Sequence, residues 1–195
     1  MLVRDVMTVD PVTVTPETGV KSALTRLAHL GITSMPVVDQ HGRLCGILSE
    51  ADLIREAVGA DPRAQQRPIT IHPVSAPQTV EDVYTRSAVA VRPDDDVASA
   101  VEVMSDKGFK SLPVVDDRHL LVGILSRSDV VRALARDDAL IAADIVGVFR
   151  DLGHTDWVVE VTEGVVEITG PDPTQHSLAH TIARTVQGVV AVRIR

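Results

Sequence analysis

Apolar residues recur along this chain with two different periods. Val20, Ala23, Leu24, Leu27 and Leu30 follow the spacing of one helix face, with Thr18 placed to cap the start and Gly31 to stop the end. Pro36-Val37-Val38 then predicts a short buried strand, Asp39-Gln40-His41-Gly42 a turn, and Arg43–Leu48 a return strand. A helix from Glu50 to about Val58 closes the block, which reads as strand–helix–strand–strand–helix. Further on, Val97, Ala100, Val101 and Met104 line a helix over Val97–Lys107. Strands near Pro113–Val115 and Leu120–Leu125 follow, and then a helix from Arg127 to about Ala135.

The second block is the first written again. Sliding Val3–Arg55 by about 77 residues lays it on Val80–Arg132 without a gap. Pro36-Val37-Val38-Asp39 meets Pro113-Val114-Val115-Asp116, Gly46-Ile47-Leu48-Ser49 meets Gly123-Ile124-Leu125-Ser126, and Asp52 meets Asp129. A duplicated unit predicts approximate two-fold symmetry and two related clefts, places where a small ligand commonly sits. The fold class is therefore α/β (α+β): two βαββα repeats, at 1–60 and 80–137, joined by a proline-containing linker at 61–79. That linker reads as an exposed loop with an extended piece at Ile69-Thr70-Ile71, placed where it can drape over a pocket as a lid.

Beyond Arg136 the pattern changes. Ala139, Ile141, Ile145, Val146, Phe149 and Leu152 predict a helix, and Trp157–Val161 with Val165–Thr169 a hairpin turning at Glu163-Gly164. Asp172–Val186 predicts a second helix and Val189–Ile194 a last strand, so 138–195 forms a small αββαβ domain.

Composition narrows the class. The chain has 195 residues, 45% hydrophobic and only 2% aromatic, so its cores are built from Val, Ala, Ile and Leu. A net charge of −8 argues against broad nucleic-acid binding and against a polybasic membrane anchor. The single cysteine, Cys45, excludes an internal disulfide; repeat two has Val122 in its place, so it reads as a small strand residue. With no basic-then-apolar leader and no apolar run of about 20 residues, the expected location is cytoplasmic, with no membrane contact.

The candidate chemistry lies where the return strand ends. In both Ser49-Glu50-Ala51-Asp52 and Ser126-Arg127-Ser128-Asp129 a hydroxyl residue precedes a helix and an acid follows three positions later. The hydroxyl can cap the helix or meet a phosphate at its N-terminus, and the acid can accept from a ribose or simply stabilise the first turn. These segments, with Gly31–Asp39 and Gly108–Asp116, resemble tandem cystathionine β-synthase (CBS) domains, the pair often called a Bateman module. The resemblance implies a regulatory module that binds AMP, ADP, ATP or S-adenosylmethionine in its inter-repeat clefts and acts on a regulated partner as a homodimer. The ribose acid maps onto Asp52 and Asp129, its hydroxyl partner onto Ser49 and Ser126, and an early threonine onto Thr8 and Thr85. The adenine loops map onto Ile32-Thr33-Ser34-Met35 and onto Phe109-Lys110-Ser111-Leu112.

The repeats differ in charge. Repeat two has Lys110 and Arg127 where repeat one has Thr33 and Glu50. A basic pair favours a di- or triphosphate and Glu50 repels one, so Ser126/Asp129 is expected to be the better polyphosphate site. Residues 138–195 resemble a BON domain through Trp157–Val161, Gly164–Gly170 and Val186–Val192, which implies docking to a protein or to phospholipid. His176 and His180 lie one helical turn apart without a third ligand, and Asp94-Asp95-Asp96 precedes a helix that acids favour, so no metal is expected. No catalytic arrangement is visible, so the chain is read as a non-enzyme; the other reading is a dimeric scaffold that binds no ligand.

Overall fold

The computed structural model describes residues 1–57 and 78–195. Most of the expected linker, its extended piece and the lid it suggested, together with the last residue of the Glu50–Val58 helix, lie outside the described residues. The chain divides into two compact units: Met1–Met7 with Asp94–Lys107 and Leu125–Arg195, and Thr8–Pro93 with Gly108–Ile124.

In chain order the elements begin with a helical turn α1 (Val3–Val6), strand β1 (Thr8–Val9), helix α2 (Val20–Leu30), strands β2 (Ser34–Val38) and β3 (Leu44–Ser49), and helix α3 (Glu50–Ala57). A 3-10 turn at Val80–Asp82 leads to β4 (Thr85–Arg86), α4 (Val97–Asp106), β5 (Ser111–Val115), β6 (Leu121–Ser126) and α5 (Arg127–Leu134). The C-terminal segment adds α6 (Asp138–Asp151), β7 (Val158–Thr162), β8 (Val165–Thr169), α7 (His176–Thr185) and β9 (Ala191–Ile194).

Within the second unit the two repeats trade strands. One sheet runs β2-β3-β4 and another β1-β6-β5, so each repeat's short leading strand completes the other's sheet. Thr8 and Val9 pair antiparallel with Ile124 and Gly123, and Thr85 and Arg86 pair with Ile47 and Gly46. The leading strand expected inside each repeat is thus two residues long and lies across the pair. Each repeat returns to its own sheet only at a single parallel bridge, Val14 to Val37 and Val91 to Val114. Gly46 makes the exchange possible: a Cβ there would fall 2.2 Å from the Thr85 carbonyl oxygen and 2.7 Å from the Tyr84 ring.

The core of repeat one gathers Val14, Val20, Ala23, Leu27, Met35, Val37, Leu48, Leu53 and Val80, with Cys45 packed against it. Burial pushes the Cys45 thiol above its ordinary value, which suits a packing residue rather than a nucleophile. α2 ends as expected on Gly31, whose φ of 64° closes the helix. Its N-cap is Gly19, not Thr18: the Thr18 hydroxyl instead accepts from the Thr15 N–H at 3.1 Å, one turn earlier, and is spent there.

In the first unit, Asp96 caps α4 by accepting from the Ala98 N–H at 3.1 Å. The C-terminal segment is a three-stranded sheet in the order β7-β8-β9, antiparallel at the hairpin and parallel across the α7 crossover. Alternation along β8 turns Val166 and Ile168 inward, onto Ile141, Ile145 and Phe149 of α6 and Ala179 and Ala183 of α7. Trp157 stands edge-on to Phe149 with centroids 4.8 Å apart and stacks on His154 at 3.9 Å. The hairpin turns in two residues, Glu163 and Gly164, with φ of 52° and 71°, the pair of left-handed positions that a type I′ turn needs. Among the described residues, no helix is long and apolar enough to cross a membrane.

Candidate functional site

β3 runs directly into α3, and the junction is a capping box. The Asp52 carboxylate oxygen Oδ2 accepts from the Ser49 N–H at 2.9 Å and from the Ser49 hydroxyl at 2.5 Å, while Ser49 Oγ accepts from the Asp52 N–H at 3.3 Å. The Glu50 N–H donates to the Thr33 carbonyl at 2.9 Å, tying the helix start to the loop before β2. These bonds use one carboxylate oxygen of Asp52 and leave Oδ1 without a hydrogen-bond partner among the described residues.

The junction faces a cleft of about 290 Å³ that lies within the second unit and draws on both repeats. Repeat one supplies Thr33, Ser34, Ile47 and the first turn of α3; repeat two supplies the loop after β4 (Ser87, Ala88, Val89) and the segment into β5 (Gly108–Ser111, Pro113). Its walls are mostly apolar, through Ile47, Val89, Phe109 and Pro113. Apolar walls with a limited set of polar side chains are the composition of a small-ligand site. Ser87 has a φ of 59°, a left-handed conformation uncommon for a residue with a side chain and found preferentially where a site demands it. Lys110 crosses the cleft to form an ion pair with Glu50.

Of the residues singled out from sequence, Thr33, Ser49, Asp52, Thr85, Phe109 and Lys110 line this one cleft. Met35 is fully buried in the core of repeat one and Ile32 packs against that core, so neither presents a surface to the cleft; both positions serve packing. Thr8 sits in β1, opposite Ile124. In the first unit, Ser126 and Asp129 form the same capping box at 2.8, 2.5 and 3.3 Å. There the second oxygen is not open: Asp129 Oδ1 accepts from Arg132 at 3.1 Å, and Asp129 is buried. Arg55, at the matching place in repeat one, makes no such bond to Asp52.

The expected basic pair is corrected by these contacts. Lys110 belongs to the Ser49–Asp52 cleft, where Glu50 neutralises it, and Arg127 donates to the Met104 carbonyl at 2.9 Å. A polyphosphate preference for Ser126/Asp129 built on the two charges together has no footing in those contacts. Ser34 and Ser111, which the sequence places in the loops before β2 and β5, also line the cleft, whereas sequence reasoning missed the Ser87–Val89 loop. The loop was open to detection, because Asp10-Pro11-Val12 occupies the matching place in repeat one and Asp10 is also left-handed, with φ 48°. Among the described residues, no three His, Cys, Asp or Glu side chains converge as a metal ion would need.

The two repeats thus form a twofold-repeated mixed α/β pair with exchanged leading strands and a cleft at a strand–helix junction. The family model of the CBS domain matches residues 3–59 and 80–136, and the chain belongs to the CBS domain family as a tandem pair. An uncharacterized protein of Methanocaldococcus jannaschii is 30% identical over 179 residues, 90% of this chain and 59% of that protein. An A-adding tRNA nucleotidyltransferase of Aquifex aeolicus is 30% identical over 69% of this chain but only 14% of its own length. The chain thus spans between about a seventh and three-fifths of these two relatives. Among solved structures, CBSX2 in complex with AMP is 30% identical, with a TM-score of 0.54 over 68% of this chain and 94% of that one. The CBS domain pair of protein MJ0100, in complex with 5′-methylthioadenosine and S-adenosyl-L-methionine, is 28% identical with a TM-score of 0.56 over the same shares.

Proposed function

We propose that this chain is a regulatory module that binds an adenosine-containing ligand in the Ser49–Asp52 cleft and conveys the binding to a partner protein. One observation carries the reading: Asp52 lines an apolar-walled cleft with Oδ2 fixed by Ser49 and with Oδ1 lacking a hydrogen-bond partner among the described residues. A carboxylate anchored through one oxygen is preorganised to accept from a ribose hydroxyl through the other, and the apolar walls suit a purine ring. The bound ligands named for CBSX2 and for the MJ0100 pair are adenosine compounds, which supports the same chemistry here.

In this reading the chain acts without catalysis, as a cytoplasmic homodimer, and residues 138–195 form a BON-like domain that docks the partner. The two relatives named above extend beyond the matched region, which supports a regulated activity carried by a further protein or domain. A second reading has its own support. The Ser–Asp pairs satisfy each other in both repeats, as caps on an interaction scaffold that binds no ligand would.

A thermal-shift series with AMP, ADP, ATP and S-adenosylmethionine separates the two, because a ligand that binds only the folded state raises the melting temperature. The regulatory reading expects a concentration-dependent rise with at least one of them and its loss in Asp52→Ala. No rise with any of the four favours the scaffold.

A further inference from the structure

The Ser49–Asp52 cleft carries its own anion. Among the described residues its charged lining is Glu50, Asp52 and Lys110, two carboxylates against one ammonium. Lys110 is not waiting for a ligand: its ammonium is paired with the Glu50 carboxylate, and both side chains remain partly exposed, so the pair sits at the rim. Glu50 is the first residue of α3, and its N–H is already used on the Thr33 carbonyl. The cation and the first helical N–H that would draw a phosphate to this helix start are thus already engaged by groups of the protein itself.

Resting on the adenosine reading above, we infer that Glu50 sets the ligand's charge class. The cleft takes an adenosine whose 5′ substituent is neutral or cationic, such as a thioether or a sulfonium, in preference to a 5′-phosphate. A phosphate reaching Lys110 either displaces Glu50 or shares the ammonium with it, and in both cases brings a second anion up to that carboxylate. A thioether disturbs neither group, and a sulfonium gains attraction to Glu50. The device is confined to one repeat, because Arg127 stands at the matching position of the other.

The test is calorimetric titration of the full chain with 5′-methylthioadenosine, S-adenosylmethionine, AMP and ATP, counting as this cleft's signal the part that Asp52→Ala removes. Wild type is expected to bind the first two, with AMP about tenfold weaker, the scale of one unfavourable charge contact near a surface. Glu50→Gln, checked for its fold by circular dichroism, is expected to recover that factor for AMP and to leave 5′-methylthioadenosine unchanged. Adding Lys110→Met to Glu50→Gln should abolish the gain. If wild type binds AMP or ATP as tightly as 5′-methylthioadenosine, or if Glu50→Gln leaves AMP unchanged, the charge-class inference fails while the adenosine reading stands. If no compound gives a signal sensitive to Asp52, both fail.

Discussion

Ser34 and Ser111 hold the same place in the two repeats, 77 positions apart, and their hydroxyls meet at 2.6 Å. Both line the Ser49–Asp52 cleft, and Ser111 is buried. The duplicated sequence meets itself at this bond, so the repeats' sheets are joined by a polar contact beside the cleft. Replacing one serine by alanine leaves the other hydroxyl without its partner, at a cost of about 1–2 kcal/mol. Replacing both removes the orphan. In a denaturation cycle the double variant is therefore expected to be less destabilised than the two single variants added together, and strict additivity would show that the hydroxyls do not interact.

Asp52 and Asp129 make the same capping box but differ in what else they do. Asp129 is buried and also holds Arg132, so Asp129→Ala removes a cap and an ion pair and is expected to cost about 2–3 kcal/mol. Asp52→Ala removes only the cap interaction, about 1 kcal/mol, and Ser49 keeps its own bond to the helix start. Chemical denaturation of the two variants should show the larger loss at Asp129, while the thermal-shift response to ligand should fall more at Asp52. Equal stability losses would mean that the Arg132 contact contributes nothing.

The strand exchange depends on a missing side chain. At Gly46 any Cβ would strike the Thr85 carbonyl, a backbone atom that cannot swing aside. Gly46→Val is expected to force β4 off β3 and to cost at least about 2 kcal/mol. It should also weaken ligand binding, because Thr85 and Ser87 of the cleft hang from that strand. Retained stability in Gly46→Val would mean that β4 is not held where the register puts it.

The repeat, its helices and its hairpins were legible because burial imposes a period: the α2, β2 and β3 positions that read as apolar are the ones that pack, except Leu30 at the end of α2, which is exposed. The αββαβ order of the C-terminal segment was legible for the same reason, and Glu163-Gly164 announced its turn through backbone chemistry. What sequence could not supply is which repeat a residue serves. Thr8 and Thr85 sit in strands of two residues, too short to carry a period, and they pair with the other repeat. Lys110 likewise sits 60 positions from Glu50, and only the fold makes them neighbours. Periodicity reports which face a residue takes; it cannot report which sheet an exchanged strand joins.

Acid should loosen the fold through carboxylates that hold turns. Backbone donors lower the Asp39, Asp82 and Asp172 carboxyls below the ordinary aspartate value: Arg43 first for Asp39 and Thr79 first for Asp82, while the Thr174 hydroxyl leads for Asp172. A group whose pKa is lower when folded contributes stability that is present above the unfolded value, about 3.9, and is lost as pH falls through the folded one. Stability is therefore expected to be flat from neutral pH to about pH 5 and to decline below it. The variants Asp82→Asn and Asp172→Asn should each flatten that decline. An unchanged acid limb in both would show that these turns do not carry it.

The C-terminal hairpin is pinned by one residue outside it. The Asp138 carboxylate, at the start of α6, accepts from the Glu163 N–H at 2.7 Å and from the Gly164 N–H at 2.9 Å. Both donors belong to the left-handed turn, where no strand partner is available to them. Asp138→Ala leaves two charge-assisted bonds unmade, with an expected loss of about 2–3 kcal/mol, whereas Asp138→Asn keeps one acceptor and should lose about half of that. Trp157, the chain's single tryptophan, is buried against Phe149 and reports on this segment alone. Its fluorescence transition should move to lower denaturant in Asp138→Ala, while ligand binding at the Ser49–Asp52 cleft stays unchanged. If the tryptophan transition does not move, α6 holds the sheet by its apolar face and the carboxylate is a bystander.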